Sequence, residues 1–276
     1  MGLERRILRI HENRHLLVLP GDTHAKGEAV RPFYGSGPIP RRPAPVVLVA
    51  HYDRAPDSPG ANDNSAAVFQ LVQAAMTLHA ERVSGWLIIF TDKEELSACE
   101  GLRDQGAYSL AQKLRETPLK RSSFYIFDVC GAGDTLIIST MTDHLIRDKS
   151  GPGAIRTRHL IRRLRERALG TARFLNLNKV LLAPTPFSDD AGFLRAGAAA
   201  QTITVLPTEE AARLASLKHN RAFINALISR EARTPKTQSL IPETWRSLNS
   251  PADTAGLLTP EHYYQVVRFA CALCKQ

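Results

Sequence analysis

Val46-Val47-Leu48-Val49-Ala50-His51-Tyr52-Asp53 decides the fold. Five consecutive apolar residues show no polar alternation, so a strand covered on both faces is expected, as in the centre of a parallel sheet. Polar residues begin where the strand stops. His51 and Asp53 stand two apart, hence on one face of an extended chain. Two further apolar runs end the same way: Trp86–Thr91 leads into Asp92-Lys93-Glu94-Glu95, and Phe124–Phe127 leads into Asp128. Open α/β sheets bind their ligands beyond the carboxyl ends of strands, so these side chains are expected at one sheet edge.

Working outward, strands are predicted at Leu16–Pro20, Pro45–Ala50, Trp86–Thr91, Phe124–Asp128, Thr135–Thr140 and Thr202–Leu206. Helices are predicted at Asn64–His79, Ala107–Leu114, Arg156–Leu169, Thr208–Lys218 and Pro260–Cys274. Strands alternating with helices imply a layered α/β fold. Stretches 35–43 and 234–249 read as irregular. No repeat or boundary divides the chain, so one domain is expected over residues 1–276: an N-terminal strand and irregular segment at 1–44, and a core at 45–276.

One imidazole among several carboxylates does not stay buried and ionised without compensation; like charges raise each other's pKa or require a cation. Zinc accepts nitrogen and oxygen donors, and paired metal ions are a hydrolytic arrangement. His51 is thus a candidate ligand, with Asp53 supporting it from behind. Glu94 and Glu95 point oppositely if extended, so one can bind metal while the other acts as general base. Asp63 stands in Gly60-Ala61-Asn62-Asp63-Asn64, just before the first long helix. Taken singly, each has a plainer reading: a polar pair for His51 and Asp53, a helix start for the glutamates, an N-cap for Asp63, a turn for Asp128. Their conjunction at successive strand ends favours metal.

These pieces resemble the co-catalytic zinc aminopeptidases of the aminopeptidase Y and aminopeptidase S kind, relatives of glutaminyl cyclase. The resemblance rests on His51-Tyr52-Asp53, Pro59-Gly60-Ala61-Asn62-Asp63-Asn64-Ser65, Phe90-Thr91-Asp92-Lys93-Glu94-Glu95-Leu96 and Phe127-Asp128, then on Ser188-Asp189-Asp190-Ala191-Gly192-Phe193-Leu194 and Asn249-Ser250-Pro251-Ala252-Asp253-Thr254. It implies a three-layer α/β/α domain around a mixed, mostly parallel sheet. It implies His51 and Asp128 on a first zinc, Asp63 bridging, Glu95 on a second ion, Glu94 as general base and Asp53 in the outer shell. The reaction implied is removal of N-terminal residues from peptides, or cleavage of dipeptides.

Two departures matter. The family's last ligand, a histidine, is replaced by Asn249, and the tyrosine that often precedes it by Leu248. An amide oxygen suits a harder cation than zinc, so one tight zinc site is expected beside a second that is weak or holds another divalent ion such as Mn²⁺. A metal-impaired peptide binder and a single-zinc cyclase remain as alternatives; rescue by His219 or His262 needs a rearranged loop. The family's Ser-Asp-His is Ser188-Asp189-Asp190 here, which adds negative charge near the cleft.

The charge balance, 36 Lys plus Arg against 27 Asp plus Glu, gives a formal +9 over 276 residues. Much of the excess lies between Arg156 and Arg173, and an anionic partner for the basic run 156–167 of the predicted helix is the different-class alternative. No aromatic residue interleaves it and no nucleic-acid fold signature accompanies it, so nucleic acid is not expected. No run approaches the ~20 apolar residues of a membrane span. Four cysteines form no disulfide framework, and no apolar secretory core follows Met1, so a cytoplasmic protein is expected. Cys271 and Cys274 read as core residues on the last helix, and Gly131–Thr135 as a hairpin turn. His11, His15, His24, His144 and His159 read as surface residues. Oligomeric state and the preferred N-terminal residue have no signature in the sequence.

Overall fold

The structure, a computed structural model, describes residues 2–21, 44–97, 99–147, 149–229 and 232–276; the irregular stretch expected at 35–43, and His24, lie outside them. Eight strands form one sheet: β1 (Glu4–Ile10), β2 (Asn13–Leu19), β3 (Val46–His51), β4 (Trp86–Thr91), β5 (Ser123–Phe127), β6 (Thr135–Ser139), β7 (Val180–Ala183) and β8 (Ala200–Leu206), in the order β1-β2-β4-β3-β5-β8-β6-β7. The four central strands β4, β3, β5 and β8 are mutually parallel, while β1, β2 and β6 supply the antiparallel pairings.

Alternation along the strands sorts the core into layers. Val46, Leu48 and Ala50 of β3 pack with Leu71 and Leu78 of α1 (Ala66–Ala80), Leu164 and Ala168 of α4 (Pro152–Phe174) and Phe269 and Leu273 of α10 (Tyr263–Lys275). Val47 and Val49 face the other way, toward Leu110 and Leu114 of α2 (Gly106–Arg115) and Phe193 of α5 (Asp189–Arg195). Each fully buried side chain of this size contributes about 1.5–3 kcal/mol through apolar burial. A third cluster lies at the β6–β7 end. It joins Ile137 and Ala183 to Leu214 of α6 (Thr208–Ser216), Phe223 and Leu227 of α7 (Arg221–Ile228) and Trp245 of α9 (Glu243–Arg246). The chain is a three-layer α/β/α fold around a mixed, mostly parallel sheet.

Four expectations need correction. Strands β1 and β7 escape the sequence reading, and both are edge strands: Arg5, Arg6 and Arg9 break the apolar run in β1, while β7 is an apolar run of only four residues. Stretch 234–249 is not wholly irregular: it holds α8 (Pro235–Gln238), with a capping box at Thr234, and α9. Residues 131–135 do not make a hairpin, because β8 lies between β5 and β6. The arginines of α4 are partly spent inside the fold. Arg165 pairs with Asp143 at 2.7 Å, Arg167 donates to the carbonyls of Leu273 and Gln276, and Arg158 donates to those of Ile146 and Lys149. That leaves a thinner cationic surface than the sequence implies. No described helix is long and apolar enough to cross a membrane.

Candidate metal centre

His51 ends β3, is completely buried, and places Nε2 3.0 Å from Asp63 Oδ1 and 3.4 Å from Asp128 Oδ1. Asp128 directly follows β5, the parallel neighbour of β3. Asp63 comes from the loop into α1. Gly60 opens that loop at φ 66°, a left-handed conformation that glycine adopts without strain. The loop is tied down on two sides. The buried carboxylate of Asp253 accepts the N–H groups of Asn62 at 2.8 Å and Asp63 at 3.0 Å. On the β5 side, Asn62 accepts from Gly131 N–H at 2.8 Å, and Asn64 accepts from Val129 N–H and donates to the Phe127 carbonyl. The sequence assigns Asp253 no role; its signal was its place in the Asn249–Thr254 motif.

The second imidazole nitrogen, Nδ1, lies 3.1 Å from the Asp53 carbonyl and 3.5 Å from its carboxylate. With its proton held on Nδ1, a metal-bound His51 would offer the Nε2 lone pair on the side of Asp63 and Asp128. The same Asp53 carboxylate accepts the N–H groups of Glu94 at 3.1 Å and Glu95 at 3.0 Å. One residue thus orients the imidazole, mainly through its carbonyl, and anchors the glutamate segment through its carboxylate.

That segment is a bend, not an extended strand. β4 stops at Thr91 and Lys93 turns the chain at φ 61°. Instead of pointing to opposite faces, Glu94 and Glu95 both line one cavity of about 380 Å³ with Asp63, Asp128 and Asn249. Gln105 Nε2 donates to Glu94 Oε1 at 3.2 Å. Gly106 is needed beside it, since a Cβ there would lie 1.8 Å from the Asp92 carbonyl oxygen. His15, expected at the surface, is buried here and its Nδ1 accepts the Asp92 N–H at 3.3 Å; burial pulls its pKa down to about 4.

The electrostatics show what the cluster lacks. Burial, reinforced by the charge of Asp63, pushes Glu95 up to about 8. Burial also lifts Glu94 well above the usual carboxylate range, and Asp63 above it. For His51, burial disfavours the charged ring, but hydrogen bonds to Asp128, Asp53 and Asp63 outweigh it and hold the imidazole well above its ordinary value. Asp53 is lowered, since His51 and the Glu95 and Glu94 amides overcome its burial. The protein alone balances this charge with protons, a task a divalent cation performs without them.

Zinc fits the donors present. With bonds of ~2.0–2.1 Å, two ligands of a tetrahedral zinc lie about 3.3 Å apart, close to the 3.0 and 3.4 Å found around His51 Nε2. Among the described residues, His51, Asp63 and Asp128 form the one group of histidine, cysteine and acidic side chains whose ligand atoms all lie within 4.8 Å of one another. Glu95 falls outside that group. Its Oε1 and Asn249 Oδ1 are buried with no hydrogen-bond partner, although both residues line the same cavity.

The sequence profile of peptidase family M28 matches residues 36–223, more than half of the chain. The chain belongs to peptidase family M28. Solved structures share the M28 fold at low identity. A zinc aminopeptidase from Bacillus subtilis is 19% identical with a TM-score of 0.57, covering 94% of this chain and 49% of its own. A Porphyromonas gingivalis glutaminyl cyclase is 14% identical with a TM-score of 0.60, covering 99% and 83%. An aminopeptidase from Aneurinibacillus sp. strain AM-1 is 17% identical with a TM-score of 0.51, covering 94% and 47%. The chain therefore spans about half the length of the two aminopeptidases. No curated protein sequence matches it.

In this M28 chain Asp189 and Asp190 add less charge than the sequence suggests. Both are buried at the start of α5, which lifts them to about 7 and about 6, and Asp189 accepts from Thr91 Oγ1 at 2.5 Å.

Proposed function

We propose that this M28 chain forms one metallopeptidase-like domain and removes N-terminal residues from short peptides. The reading rests on one observation above the others: three ligand atoms, from His51, Asp63 and Asp128, held at the spacing of zinc ligands on rigid, hydrogen-bonded backbone. These three would hold the tighter ion, with Asp63 reaching toward a second. Glu95 and Asn249 would complete that second site, and its all-oxygen set suits Mn²⁺ or a similar hard cation better than zinc. Zinc bound at such a centre acts as a Lewis acid, acidifying water and polarising a carbonyl.

The protein's own residues do the rest. Glu94, raised by burial and fixed at Oε1 by Gln105, takes a proton from water and returns it to the leaving amine. Asp53 would hold the proton on Nδ1 of His51, so that Nε2 carries the ion in place of a proton. The carboxylates attract a cationic α-amino group, which favours an exopeptidase. The four free cysteines, three of them buried, suit a reducing, cytoplasmic setting. The test is metal analysis of the purified protein together with turnover of a panel of aminoacyl amides. About one tight zinc and hydrolysis stimulated by added Mn²⁺ are expected. Bound metal without turnover would make the chain a peptide binder, and neither metal nor turnover with any divalent ion would overturn the proposal.

A further inference from the structure

The cavity that carries the carboxylates has a second, chemically different wall. It comes from the end of α7 and from residues between Arg233 and Leu248, which the metal chemistry does not use. Leu227, Ile241 and Trp245 are nearly buried in the third core cluster, and Leu248 packs against it; all four line the cavity. Two guanidiniums, Arg233 and Arg246, line it as well. Arg233 is held by its Nε donating to the Ala226 carbonyl at 3.0 Å. Arg246 meets Glu243 only at 4.0 Å, at a half-exposed position. The cavity is thus anionic at the metal ligands, apolar along one wall, and cationic on a third part of its lining. At about 380 Å³ it lies at the small end of ligand sites.

Resting on the exopeptidase reading above, we infer that Arg233 and Arg246 recognise the free C-terminal carboxylate of the substrate and so set a preference for very short peptide acids over amides and longer chains. A dipeptide zwitterion presents the three complementary groups in one small molecule. Its ammonium faces the acidic cluster, its first side chain the Leu227–Trp245 wall, and its carboxylate a guanidinium, which matches carboxylates in a fork of hydrogen bonds. A longer peptide or an amide leaves the arginines without that partner.

The experiment compares Leu-Gly with Leu-glycinamide, which differ only in the terminal carboxylate. Binding is measured by calorimetry on the metal-loaded Glu94→Gln protein, and KM and kcat on the wild type. Leu-Gly is expected to bind about tenfold tighter, as a partly exposed charge-assisted pair contributes, with the difference in KM and not in kcat. Arg246→Gln and Arg233→Gln are expected to shrink the preference, and Arg246→Lys to restore part of it. Asp-Gly should bind more weakly than Leu-Gly. Carboxylate-dependent binding without wild-type turnover would sink the exopeptidase reading but keep this ligand class. Turnover of both compounds with equal KM, a preference untouched by either arginine variant, or no binding of either compound would overturn the inference.

Discussion

The two halves of the candidate centre are built differently. His51, Asp63 and Asp128 sit on strand ends and on a loop lashed by Asp253, Asn62 and Asn64, all nearly or fully buried. Glu94, Glu95 and Asn249 sit on bends. Lys93 and Asn249 both have positive φ, and the two glutamate amides are held by one carboxylate, Asp53. Backbone fixed by sheet hydrogen bonds can hold ligand atoms at set distances, whereas bends hold theirs only as well as their supporting side chains. The first half is therefore expected to select the ion and the second to handle the proton and tune the other site.

The largest effect should separate those duties. Glu94→Gln keeps size and shape and removes the base, so kcat should fall by about 10²–10⁴ while tightly bound metal, measured by elemental analysis, stays. His51→Ala should lose the metal itself. If Glu94→Gln also emptied the tight site, the division between halves would fail.

Acid should loosen the glutamate half through His15. Its folded pKa of about 4 lies below the ordinary 6.5, because burial outweighs the opposing charges of Asp92 and Asp53. The fold thus accepts the neutral ring. This contribution is complete above pH 6.5, declines as pH falls toward 4, and amounts to about 3 kcal/mol across that window. Thermal melts of metal-loaded wild type and His15→Gln should differ most at neutral pH and converge or cross near pH 4. An offset unchanged from pH 7 to pH 4.5 would show that His15 does not carry the dependence.

The first half was also the more legible in sequence. Unbroken apolar runs announced β3, β4 and β5, and a histidine or acid at each end was enough to place His51 and Asp128. Asp63 needed the glycine and asparagine around it. The second half was only partly readable. Adjacent glutamates imply opposite faces if the strand continues, and nothing in Thr91-Asp92-Lys93 announces the positive φ that turns both into one cavity. His15 looked like a surface residue because its β2 neighbours Asn13 and Arg14 are polar; only pairing in the sheet buries it. The cavity's apolar wall arises from α7 and α9, short helices whose packing depends on contacts distant in sequence.

Asp253 joins the halves, which makes it the next place to press. It holds the Asp63 loop through two N–H bonds while lying four residues from Asn249. Asp253→Ala should weaken tight metal binding by about 10–100-fold, the usual cost of losing an outer-shell support. Asp253→Asn, with one acceptor oxygen left, should lose less. Equal metal affinity in all three proteins, by competition with a chelator, would mean the loop holds its shape without Asp253.

The smallest change is aimed at the weaker half. Asn249 Oδ1 is buried and unpartnered in the cavity, and its backbone already adopts the left-handed conformation asparagine tolerates better than most residues. Asn249→His would supply the imidazole that zinc prefers over an amide oxygen, at some backbone cost because histidine is less at ease at φ 56°. Zinc affinity at the second site should rise by about tenfold, the net of a better donor and a less willing backbone, and the stimulation by Mn²⁺ should shrink. The tight site should change less, since the Asn249 amide oxygen hydrogen-bonds to none of its supports. Should the variant instead alter the tight site and leave the second one as it was, the centre would have to be treated as a single cooperative unit and the contrast between its halves given up.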